Sequence, residues 1–366
     1  MHINFVEVKN FRNYSHEKFL LNKNVNILLG DNAQGKTNLL EGIYFSCIGK
    51  SFKTKNEQDL IKHNENSLKI LVDFEKNNGH NTIEVQFRGK DKFIKLNEVS
   101  LTKSSGLLGN LACVFFSPNE LKLVKEAPED RRKFLDIALS QLSKEYYINL
   151  LKYNKILKQR NKLLKSSDNE KIIKETLPIW SFQLARPASE IIFYRLNFIK
   201  KLNMLAQKEH QYLSSEKENL SLAYSSCHNF GETSATEIEQ ILLEKYKQNE
   251  DKDISLGYTT VGPHRDDLKI FLNDLDVKSF ASQGQQRTCL LSIKLAETEI
   301  FNLFFKEYPI LLLDDVFSEL DEKRKEKLFK RTQKFQTLVT TTKFDMVDSN
   351  AKIIKIENGK IVLWMK

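Results

Sequence analysis

The segment from Gly30 to Thr37 constrains the fold of this chain more than any other part of the sequence. It reads Gly-Asp-Asn-Ala-Gln-Gly-Lys-Thr and fits the eight-position phosphate-loop pattern, in which glycines allow backbone N–H groups to turn toward a phosphate. An apolar run at 25–29 precedes the segment and a helical pattern at 38–44 follows it, which is the strand–loop–helix context that such a loop requires. The sequence therefore predicts an α/β fold with a nucleotide-phosphate site on this loop.

The side chains and the backbone of this loop have separate expected roles. We expect the Lys36 ammonium to bridge the β- and γ-phosphates of ATP, and the Thr37 hydroxyl to bind Mg²⁺ at the N-terminus of the following helix. The other positions expected to contact the nucleotide are Gly30, Asp31, Asn32, Ala33, Gln34 and Gly35. The implied cofactors are ATP and Mg²⁺.

A second segment, 309–315, supplies the carboxylate that a phosphate loop needs on a neighbouring strand. It is a run of apolar residues, typical of a buried strand, that ends in two acids. We predict that Asp314 holds Mg²⁺ together with Thr37, and that Asp315 is the catalytic residue that orients the attacking water. An acid at the end of a strand is also common as a turn or helix cap, and only its pairing with the phosphate loop favours the metal interpretation.

Between these two motifs lies a third, Ser282 to Arg287, which reads Ser-Gln-Gly-Gln-Gln-Arg and is followed at once by a helical pattern. A serine and a glycine at a helix N-terminus favour an anion, because the hydroxyl, the exposed N–H groups and the helix dipole all attract negative charge. One ATP does not need two such sites from one chain. We therefore predict that Ser282, Gly284 and Gln285 reach the γ-phosphate held by a partner chain, while an ordinary helix cap stays the alternative.

The order of the predicted elements divides the chain into three segments. Residues 1–125 alternate short apolar runs with turn signals, and residues 126–255 carry apolar residues at helical spacing. The helical pattern begins at Pro128, with Glu129 and Asp130 suited to the first turn of a helix, and a linker-like stretch at 229–236 interrupts it. From 256 to 366 the alternation of strands and helices resumes. We predict one α/β unit made of 1–125 and 256–366, with 126–255 as an inserted, mainly helical lobe.

The charge balance has two explanations. Lys plus Arg number 57 against 48 Asp plus Glu, so the formal net charge is +9, which is typical of a protein that neutralises phosphates. A coding bias toward A and T produces the same excess of lysine. Within the inserted lobe, the segment from Lys152 to Lys165 places basic residues around an apolar stripe, which indicates either a solvated helix face or a face that contacts DNA.

Other classes of protein and site are disfavoured by absences in the sequence. No apolar run approaches the roughly 18 residues of a membrane span, and the N-terminus lacks the order of a secretory signal, so we expect a cytoplasmic protein that does not bind membranes. His264 with Asp266 and Asp267 lacks a recognisable metal-ligand spacing, and we expect no transition metal there. The cysteines are widely separated, which fits a reducing compartment: Cys47, Cys113, Cys227 and Cys289.

The three motifs together resemble the split ABC-type ATPase head of the SMC-like DNA proteins: the phosphate loop, the 282–287 segment as a signature, and 311–321 as the metal strand with its following loop. Three further segments resemble the RecF family in particular, at 6–14, 128–136 and 261–267. The resemblance covers both ends of the chain well, and the region from about 140 to 255 only by its helical character and length.

The resemblance implies a P-loop ATPase head that dimerises on ATP and binds single-stranded, gapped or junction DNA. It implies assistance in recombinase loading, in the recovery of replication and in SOS induction, with RecR as a partner and RecO and RecA as indirect ones. It further implies that Arg12 lies near the nucleotide phosphates or ribose, and that the loop 318–321 contacts the partner subunit. A solvated arginine and a helix cap are the respective alternatives.

Some residues depart from the general ABC pattern. Asp315 stands where many relatives carry glutamate, which is one methylene longer, so we expect slow, DNA-stimulated hydrolysis. No clear glutamine follows the strand at 111–116, and Thr341 and Thr342 replace a histidine that is usual in transporters. The way in which the γ-phosphate is sensed is therefore left open by the sequence.

Competing functions are a GTPase, a transporter ATPase and a DNA-binding module with a vestigial pocket. The segment Thr342 to Asp345 matches a guanine-specificity motif, but no aspartate in the chain is followed by glycine three residues later, as a GTPase requires. About 250 residues separate Lys36 from Gly284, which leaves room for an inserted lobe that transporter ATPases generally lack. The intact Lys36, Thr37 and Asp314 argue against a vestigial pocket.

Overall fold

The computed structural model describes residues 1–77, 79–166, 170–215, 218–343 and 351–365. Its residues form two compact units. The first unit consists of Met1–Leu121, Glu209–Lys217 and Arg287–Lys366, and the second of Lys122–Lys208 and Glu218–Gln286.

The strands and helices of the described residues are as follows. The strands are β1 His2–Phe11, β2 Tyr14–Leu20, β3 Val25–Leu29, β4 Ser67–Lys76, β5 Gly79–Arg88, β6 Asp91–Leu96, β7 Val99–Leu101, β8 Cys113–Phe116, β9 Leu220–Ser225, β10 Asp267–Leu272, β11 Leu275–Asp276, β12 Ile310–Asp314, β13 Thr337–Thr341, β14 Lys352–Glu357 and β15 Lys360–Met365. The helices are α1 Lys36–Ile48, α2 Lys122–Lys125, α3 Pro128–Leu142, α4 Lys144–Lys165, α5 Glu170–Ser214, α6 Ala235–Gln248, α7 Glu250–Leu256, α8 Val277–Phe280, α9 Gln283–Phe305 and α10 Glu322–Thr332.

The first unit contains two six-stranded sheets. One is antiparallel, in the order β2-β1-β4-β5-β6-β7. The other has the order β15-β14-β3-β13-β12-β8, and its pairs are parallel except for β14 with β15. Strands β3, β12 and β13 are continuous apolar or β-branched runs whose side chains are almost all buried, as expected for central parallel strands that are covered on both faces.

The core of the first unit lies around α1. This helix buries residues on all sides, which is typical of a helix that is covered by other elements all round. One buried cluster joins side chains of both sheets and of α1, such as Val72, Ile43 and Leu312. Each fully buried side chain of this kind contributes about 1.5 to 3 kcal/mol, so the cluster fixes α1, and with it the phosphate loop, against both sheets.

The second unit is mainly helical and contains a small sheet of its own. Strands β9, β10 and β11 pair antiparallel in the order β11-β10-β9. Helix α3 begins at Pro128 with Glu129 and Asp130 in its first turn, as predicted from the sequence. The linker-like stretch at 229–236 ends in a capping box at the start of α6, in which Ser234 and Glu237 satisfy each other's backbone N–H groups.

The division of the chain differs from the predicted one on its C-terminal side. The predicted boundary at 125 lies close to the observed one at Leu121, but residues 256–286 group with the second unit instead of with the phosphate loop. Strand β10 lies in the segment 256–366, which the sequence assigns as a whole to the first α/β unit. It pairs with β9 through contacts more than forty residues apart in sequence, as in Asp267 with Ser225, and a local pattern does not contain such information.

In the described ranges, none of the helices combines the length and the apolar character needed to cross a bilayer.

Candidate nucleotide-binding site

The sheet topology of the first unit places the predicted motifs at one edge. Strands β3, β13 and β12 are neighbours and run parallel, so their carboxyl ends lie together, where α/β proteins bind ligands. The phosphate loop follows β3, and Asp314 is the last residue of β12. Thr340 lies in β13 between them. The structure therefore brings together Lys36, Thr37 and Asp314, as the sequence predicts.

Two glycines of the loop are required by close approach of neighbouring groups. Gly35 has φ +118°, and a Cβ atom on it would lie 2.8 Å from the Asn13 side-chain nitrogen and 2.9 Å from the Tyr14 hydroxyl. A Cβ on Gly30 would lie 2.3 Å from the carbonyl oxygen of Ile356. Real side chains essentially never approach so closely, so a larger residue would have to displace the Ile356 backbone at Gly30, or the Asn13 and Tyr14 side chains at Gly35, where the positive φ also favours glycine.

Lys36 folds back over the loop that precedes it. Its Nζ donates to the carbonyl oxygens of Gly30 at 2.5 Å and of Asp31 at 2.7 Å. Burial lowers the pKa of Lys36 below its ordinary value, while the carboxylates of Asp315 and Asp314 act in the opposite direction. The ammonium thus lies in a partly desolvated place lined by backbone dipoles, where contact with a phosphate is stronger than in water.

Threonine hydroxyls hold the two acids at the end of the metal strand, Asp314 and Asp315. Thr37 Oγ1 and Thr340 Oγ1 both donate to Asp314 Oδ1, at 2.7 and 2.8 Å. The backbone N–H of Asp315 donates to Thr340 Oγ1 at 2.9 Å. Asp315 has φ +52° and an exposed side chain. This conformation costs free energy, and a residue keeps it only where the surrounding structure holds the backbone in place. The hydrogen bond to Thr340 is part of what holds Asp315 in it.

The residues present fit a bound Mg²⁺. This ion prefers hard oxygen ligands in octahedral geometry at about 2.1 Å, so two adjacent ligands lie about 3 Å apart. Thr37 Oγ1 and Asp314 Oδ1 are 2.7 Å apart, close to that spacing. Mg²⁺ usually takes its remaining ligands from phosphates and water. Accordingly, among the described residues no group of three or more His, Cys, Asp or Glu is placed to hold a metal alone.

Lys53 and Asn38 also belong to this site, although neither was predicted from the sequence. Both line the depression above the phosphate loop, and Lys53 Nζ donates to Asn38 Oδ1 at 2.8 Å. Burial lowers the pKa of Lys53, while the carboxylates of Glu41 and Asp314 act in the opposite direction. Nothing in the local sequence distinguishes this lysine from Lys50 and Lys55 beside it.

Arg12 lies beside the phosphate depression and not in it. Its guanidinium forms a bidentate pair with Glu41 of α1, with Nε–Oε2 at 2.8 Å and Nη2–Oε1 at 2.6 Å, and Nη1 donates to the carbonyl oxygen of Asp59. Glu41 is fully buried and also accepts a hydrogen bond from the Ser51 hydroxyl. Arg12 lines a neighbouring depression, which shares Lys53 with the first. The contact between Arg12 and the nucleotide, which the resemblance implies, stays a proposal.

Replacing Glu41 with glutamine is expected to lower the free energy of unfolding by about 2 to 4 kcal/mol. The amide keeps the volume of the side chain but presents N–H groups to the Arg12 guanidinium, which leaves a charge without its partner. Denaturant unfolding measures the effect. Glu65→Gln is the control, since Glu65 is exposed and bonds only the Asn10 amide among the described contacts, and its effect is expected to stay within about 0.5 kcal/mol. Equal effects of the two changes would contradict the assignment.

The signature residues cap the first turn of α9, and this turn groups with the second unit. Ser282 Oγ accepts from the backbone N–H of Gln285 at 3.3 Å, and Gln285 Oε1 accepts from the N–H of Ser282 at 2.8 Å, which is a reciprocal capping box. Gln285 also donates to Glu218. Gly284 is exposed, and a Cβ atom on it would meet nothing within 4 Å. The serine hydroxyl and the bare glycine therefore lie at the surface of a 23-residue helix, at its positive end.

The loop after β12 is ordered by three short-range hydrogen bonds. The Ser318 hydroxyl donates to the carbonyl oxygen of Asp315 at 2.8 Å. Asp321 caps α10, because its Oδ1 accepts from the backbone N–H of Arg324 at 2.9 Å. Its Oδ2 also accepts from the Arg324 guanidinium at 2.6 Å. Each end of the loop is thus held by bonds between residues three positions apart.

The segment 261–267 belongs to a buried polar network of the second unit. Both ring nitrogens of His264 are engaged, by the Tyr153 hydroxyl and the carbonyl oxygen of Thr259, and burial lowers its pKa to about 4. Asp266 accepts a hydrogen bond from the Tyr224 hydroxyl, and burial raises its pKa to about 7. Each of these polar side chains is bonded within the unit, so their arrangement is structural.

Asp267 forms the firmest ion pair of this network. Its carboxylate accepts both prongs of the buried Arg131 guanidinium, at 2.6 and 3.0 Å. Arg131 comes from the segment 128–136 and Asp267 from 261–267, which are two of the three segments that resemble the RecF family. This pair joins two segments that are far apart in the sequence, and removing one partner would leave the other charge buried and uncompensated.

Of the guanine-specificity motif, only Thr342 and Lys343 are described. Thr342 lines the phosphate depression, and Thr341 Oγ1 donates to the carbonyl oxygen of Lys343 at 2.6 Å. Phe344 and Asp345 lie outside the described residues.

The chain matches the family model described as RecF/RecN/SMC N terminal domain over residues 2–361. It is 42% identical to the DNA replication and repair protein RecF of Clostridium tetani, across 99% of this chain and 100% of that protein. It is 43% identical to the RecF protein of Alkaliphilus oremlandii, across 96% of this chain and 97% of the relative.

Solved structures give the same result. The recombination mediator protein RecF-ATP of the RecFOR pathway superposes with a TM-score of 0.90 at 33% identity, covering 100% of this chain and 98% of that one. RecF-ATPrS superposes with a TM-score of 0.89 at 34% identity, covering 98% and 97%. An SMC head bound to ScpA, at 17% identity and a TM-score of 0.59 over 99% and 97%, supports the fold alone.

These similarities decide between the classes considered from the sequence. The predicted SMC-like, ABC-type ATPase head is confirmed as the fold, and the transporter and GTPase alternatives receive no support. Relatives of more than 40% identity cover nearly the whole chain, including the helical region that the sequence motifs left uncovered. The chain belongs to the RecF family of DNA replication and repair proteins.

Proposed function

We propose that this protein is an ATP-dependent DNA-binding repair factor that holds Mg²⁺-ATP on the phosphate loop, dimerises on ATP and acts at gapped DNA. The observation that carries the proposal is the cluster at one sheet edge, where Lys36 lies over the loop and Asp314 Oδ1 is bonded to both Thr37 and Thr340. These groups provide a cation for the phosphates and two hard oxygens for the metal in one place. A purely structural protein would have no need for a carboxylate held in this way.

The chain's own residues divide the work at the nucleotide. Lys36 and the loop N–H groups bind the β- and γ-phosphates, with the expected contacts from Gly30 to Gly35. Thr37 and Asp314 would hold Mg²⁺, which neutralises phosphate charge when it is bound. Lys53 adds a second cation on the same depression. Arg12, Ser282, Gly284 and Gln285 are proposed to complete the nucleotide contacts, the last three from the partner chain.

Asp315 is proposed to orient the attacking water. Its carboxylate is exposed at the site, and its backbone is fixed by the Thr340 hydroxyl. We expect slow hydrolysis stimulated by DNA, since aspartate reaches one methylene less far than the glutamate of many relatives.

Asp315→Asn is expected to retain ATP affinity while turnover falls by about 10²- to 10⁴-fold, because the amide cannot accept a proton or orient water as a carboxylate does. Steady-state phosphate release together with equilibrium binding of a fluorescent ATP analogue measures the two quantities. Asp91→Asn removes the same charge from an exposed position at the start of β6, which does not line the phosphate depression, and is the control. Wild-type turnover in Asp315→Asn would show that another group orients the water.

DNA and protein partners are proposed from family membership. The RecF names of the relatives refer to DNA replication and repair, and the solved structures refer to the RecFOR pathway. We therefore propose single-stranded, gapped or junction DNA as the substrate, RecR as a direct partner, and RecO and RecA as indirect ones. The proposed roles are recombinase loading, recovery of replication and SOS induction in the cytoplasm.

One experiment tests the proposal as a whole. ATP turnover by the purified protein is measured with Mg²⁺, with and without a duplex that carries a single-stranded gap. Turnover that depends on Mg²⁺ and rises with gapped DNA is expected. Turnover that ignores both Mg²⁺ and DNA would overturn the proposal.

A further inference from the structure

Helix α4 presents a basic, acid-free face to solvent. The lysine face consists of Lys152, Lys155, Lys158, Lys162 and Lys165, all of them exposed. The only other exposed residues from 152 to 165 are Asn154 and Gln159. The half-exposed apolar side chains of this helix, Ile148 and Leu151, precede the face. From 152 onward, the outer surface is thus made of cations and amides alone.

The opposite side of α4 is fixed in the second unit by buried polar bonds. Arg160 is fully buried, and its Nη1 donates to Asp253 Oδ2 and to Thr259 Oγ1, both at 2.7 Å. Tyr153, also buried, is bonded to His264. Rotation of α4 about its axis would break these bonds and leave the Arg160 charge unpaired in the interior. The lysine face is therefore held in one orientation without any ligand.

The charge of this face is not compensated locally. The sequence contains no Asp or Glu from Tyr146 to Ser167, and in the described ranges none of the five lysines forms an ion pair. Helix α10 is similarly rich in lysine but carries acids of its own, Glu322 and Glu326, and Lys325 pairs with Glu322. A coding bias toward lysine would act on both helices alike. The five charges also exceed half of the formal net charge of +9.

The composition of the lysine face selects one kind of partner. Protein interfaces are enriched in aromatic residues and arginine and depleted of lysine. Binding to a lipid surface requires apolar side chains opposite or among the cations, and this face has none. Lysine, asparagine and glutamine are side chains that contact the phosphates of nucleic acids, and all three are present.

The dimensions agree with a phosphate backbone. Thirteen residues of helical rise at about 1.5 Å give the face a length of about 20 Å. One strand of duplex DNA places a phosphate about every 3.4 Å along the axis, so about six phosphates lie within this length. Five cations and about six anions are thus in proportion.

We infer that the lysine face is a DNA-binding surface that contacts the phosphate backbone of duplex or single-stranded DNA without reading its sequence. The inference rests on the proposed function, which requires DNA binding but does not say where on the chain it occurs. Contacts with phosphates position a protein and carry no base specificity, so affinity through this face depends on salt and not on sequence.

The test compares two triple variants with the same loss of charge. K155Q/K158Q/K162Q removes the centre of the lysine face, and K201Q/K208Q/K247Q removes three exposed lysines from α5 and α6 of the same unit. Glutamine and lysine have similar helix propensities, so both variants should keep the wild-type helicity and unfolding temperature, which circular dichroism checks. Affinity for a labelled gapped duplex is then measured, with ATP and Mg²⁺, over a series of salt concentrations.

The slope of log affinity against log salt gives the number of phosphates contacted. Each contact contributes about −0.9 on a duplex, so the K155Q/K158Q/K162Q slope should be shallower than wild type by about 2 to 3, and the control slope should change by less than about 1. Equal slopes for both variants would overturn the inference while wild-type DNA binding leaves the proposed function standing. A wild-type protein that binds no DNA at low salt would overturn both.

Discussion

Replacing Lys36 with alanine is expected to weaken ATP binding by about 10²- to 10³-fold and to abolish every effect of nucleotide on the protein. The side chain would supply charge-assisted hydrogen bonds to two phosphates, which together contribute about 3 to 4 kcal/mol. In the structure its Nζ bonds only carbonyl oxygens of its own loop among the described groups, so its removal leaves the hydrophobic cluster around α1 intact. Equilibrium binding of a fluorescent ATP analogue measures the loss.

The control for this change is Lys50→Ala. Lys50 is exposed just beyond the end of α1, so Lys50→Ala removes the same charge from a nearby position in the sequence. We expect it to bind ATP as the wild-type protein does, and both variants should unfold within a few degrees of wild type. Undiminished ATP affinity in a folded Lys36→Ala protein would contradict the assignment of the phosphate loop.

Replacing Ser282 with arginine is expected to block ATP-induced dimerisation while a monomer still binds ATP through Lys36. If Ser282 faces a γ-phosphate held by the partner chain, the substitution places bulk where that phosphate must approach. Hydrolysis and stable association with DNA should fall together, since both depend on the closed dimer. Sedimentation or light scattering with Mg²⁺ and ATP measures the oligomeric state.

The helix cap at Ser282 makes a matched control necessary. Loss of the capping box alone is expected to cost about 1 kcal/mol, whatever the function of the serine. Ser234→Arg removes the equivalent capping box from α6 in the same unit and should leave dimerisation unchanged. If Ser282→Arg also dimerises normally with ATP, the segment is an ordinary helix cap and the arrangement across a dimer is refuted.

Mixing two inactive variants tests the same arrangement in the opposite direction. Ser282→Arg keeps its own phosphate loop, and Lys36→Ala keeps its own signature, so a mixed dimer contains one complete composite site. Partial turnover in the mixture is expected although neither variant works alone. A mixture that stays inactive over a wide range of ratios would count against composite sites.

The parts of the fold that the sequence predicted are those encoded within a few residues. The run at 25–29 is β3, the run ending at Asp314 is β12, and the helix predicted from Pro128 is α3. The phosphate loop is recognisable because its glycines, lysine and threonine are fixed by one local geometry. The place of β10 was not predictable, because its pairing with β9 joins segments whose local patterns are the same in either unit.

The candidate site shows the same limit at the level of single side chains. Asp314 and Thr37 were found because both belong to recognisable motifs, whereas Lys53 was missed because its approach depends on the path of the chain after α1. The Arg12 guanidinium is bonded to Glu41, one turn beyond the loop on α1, and no motif of the sequence contains this pairing. A pattern gives the residue types of a site, while the partner of each charge is decided by packing.

The positive φ of Asp315 has a consequence for which acid can occupy this position. Among residues other than glycine, aspartate and asparagine adopt the left-handed conformation several times more often than others, because their short side chains can bond nearby backbone groups. Glutamate gains no such compensation and would meet a cost of about 1 to 2 kcal/mol in this conformation. With φ at +52°, backbone geometry favours the shorter acid at this position. Replacing Asp315 with glutamate would therefore lengthen the side chain and at the same time add a conformational cost to the turn.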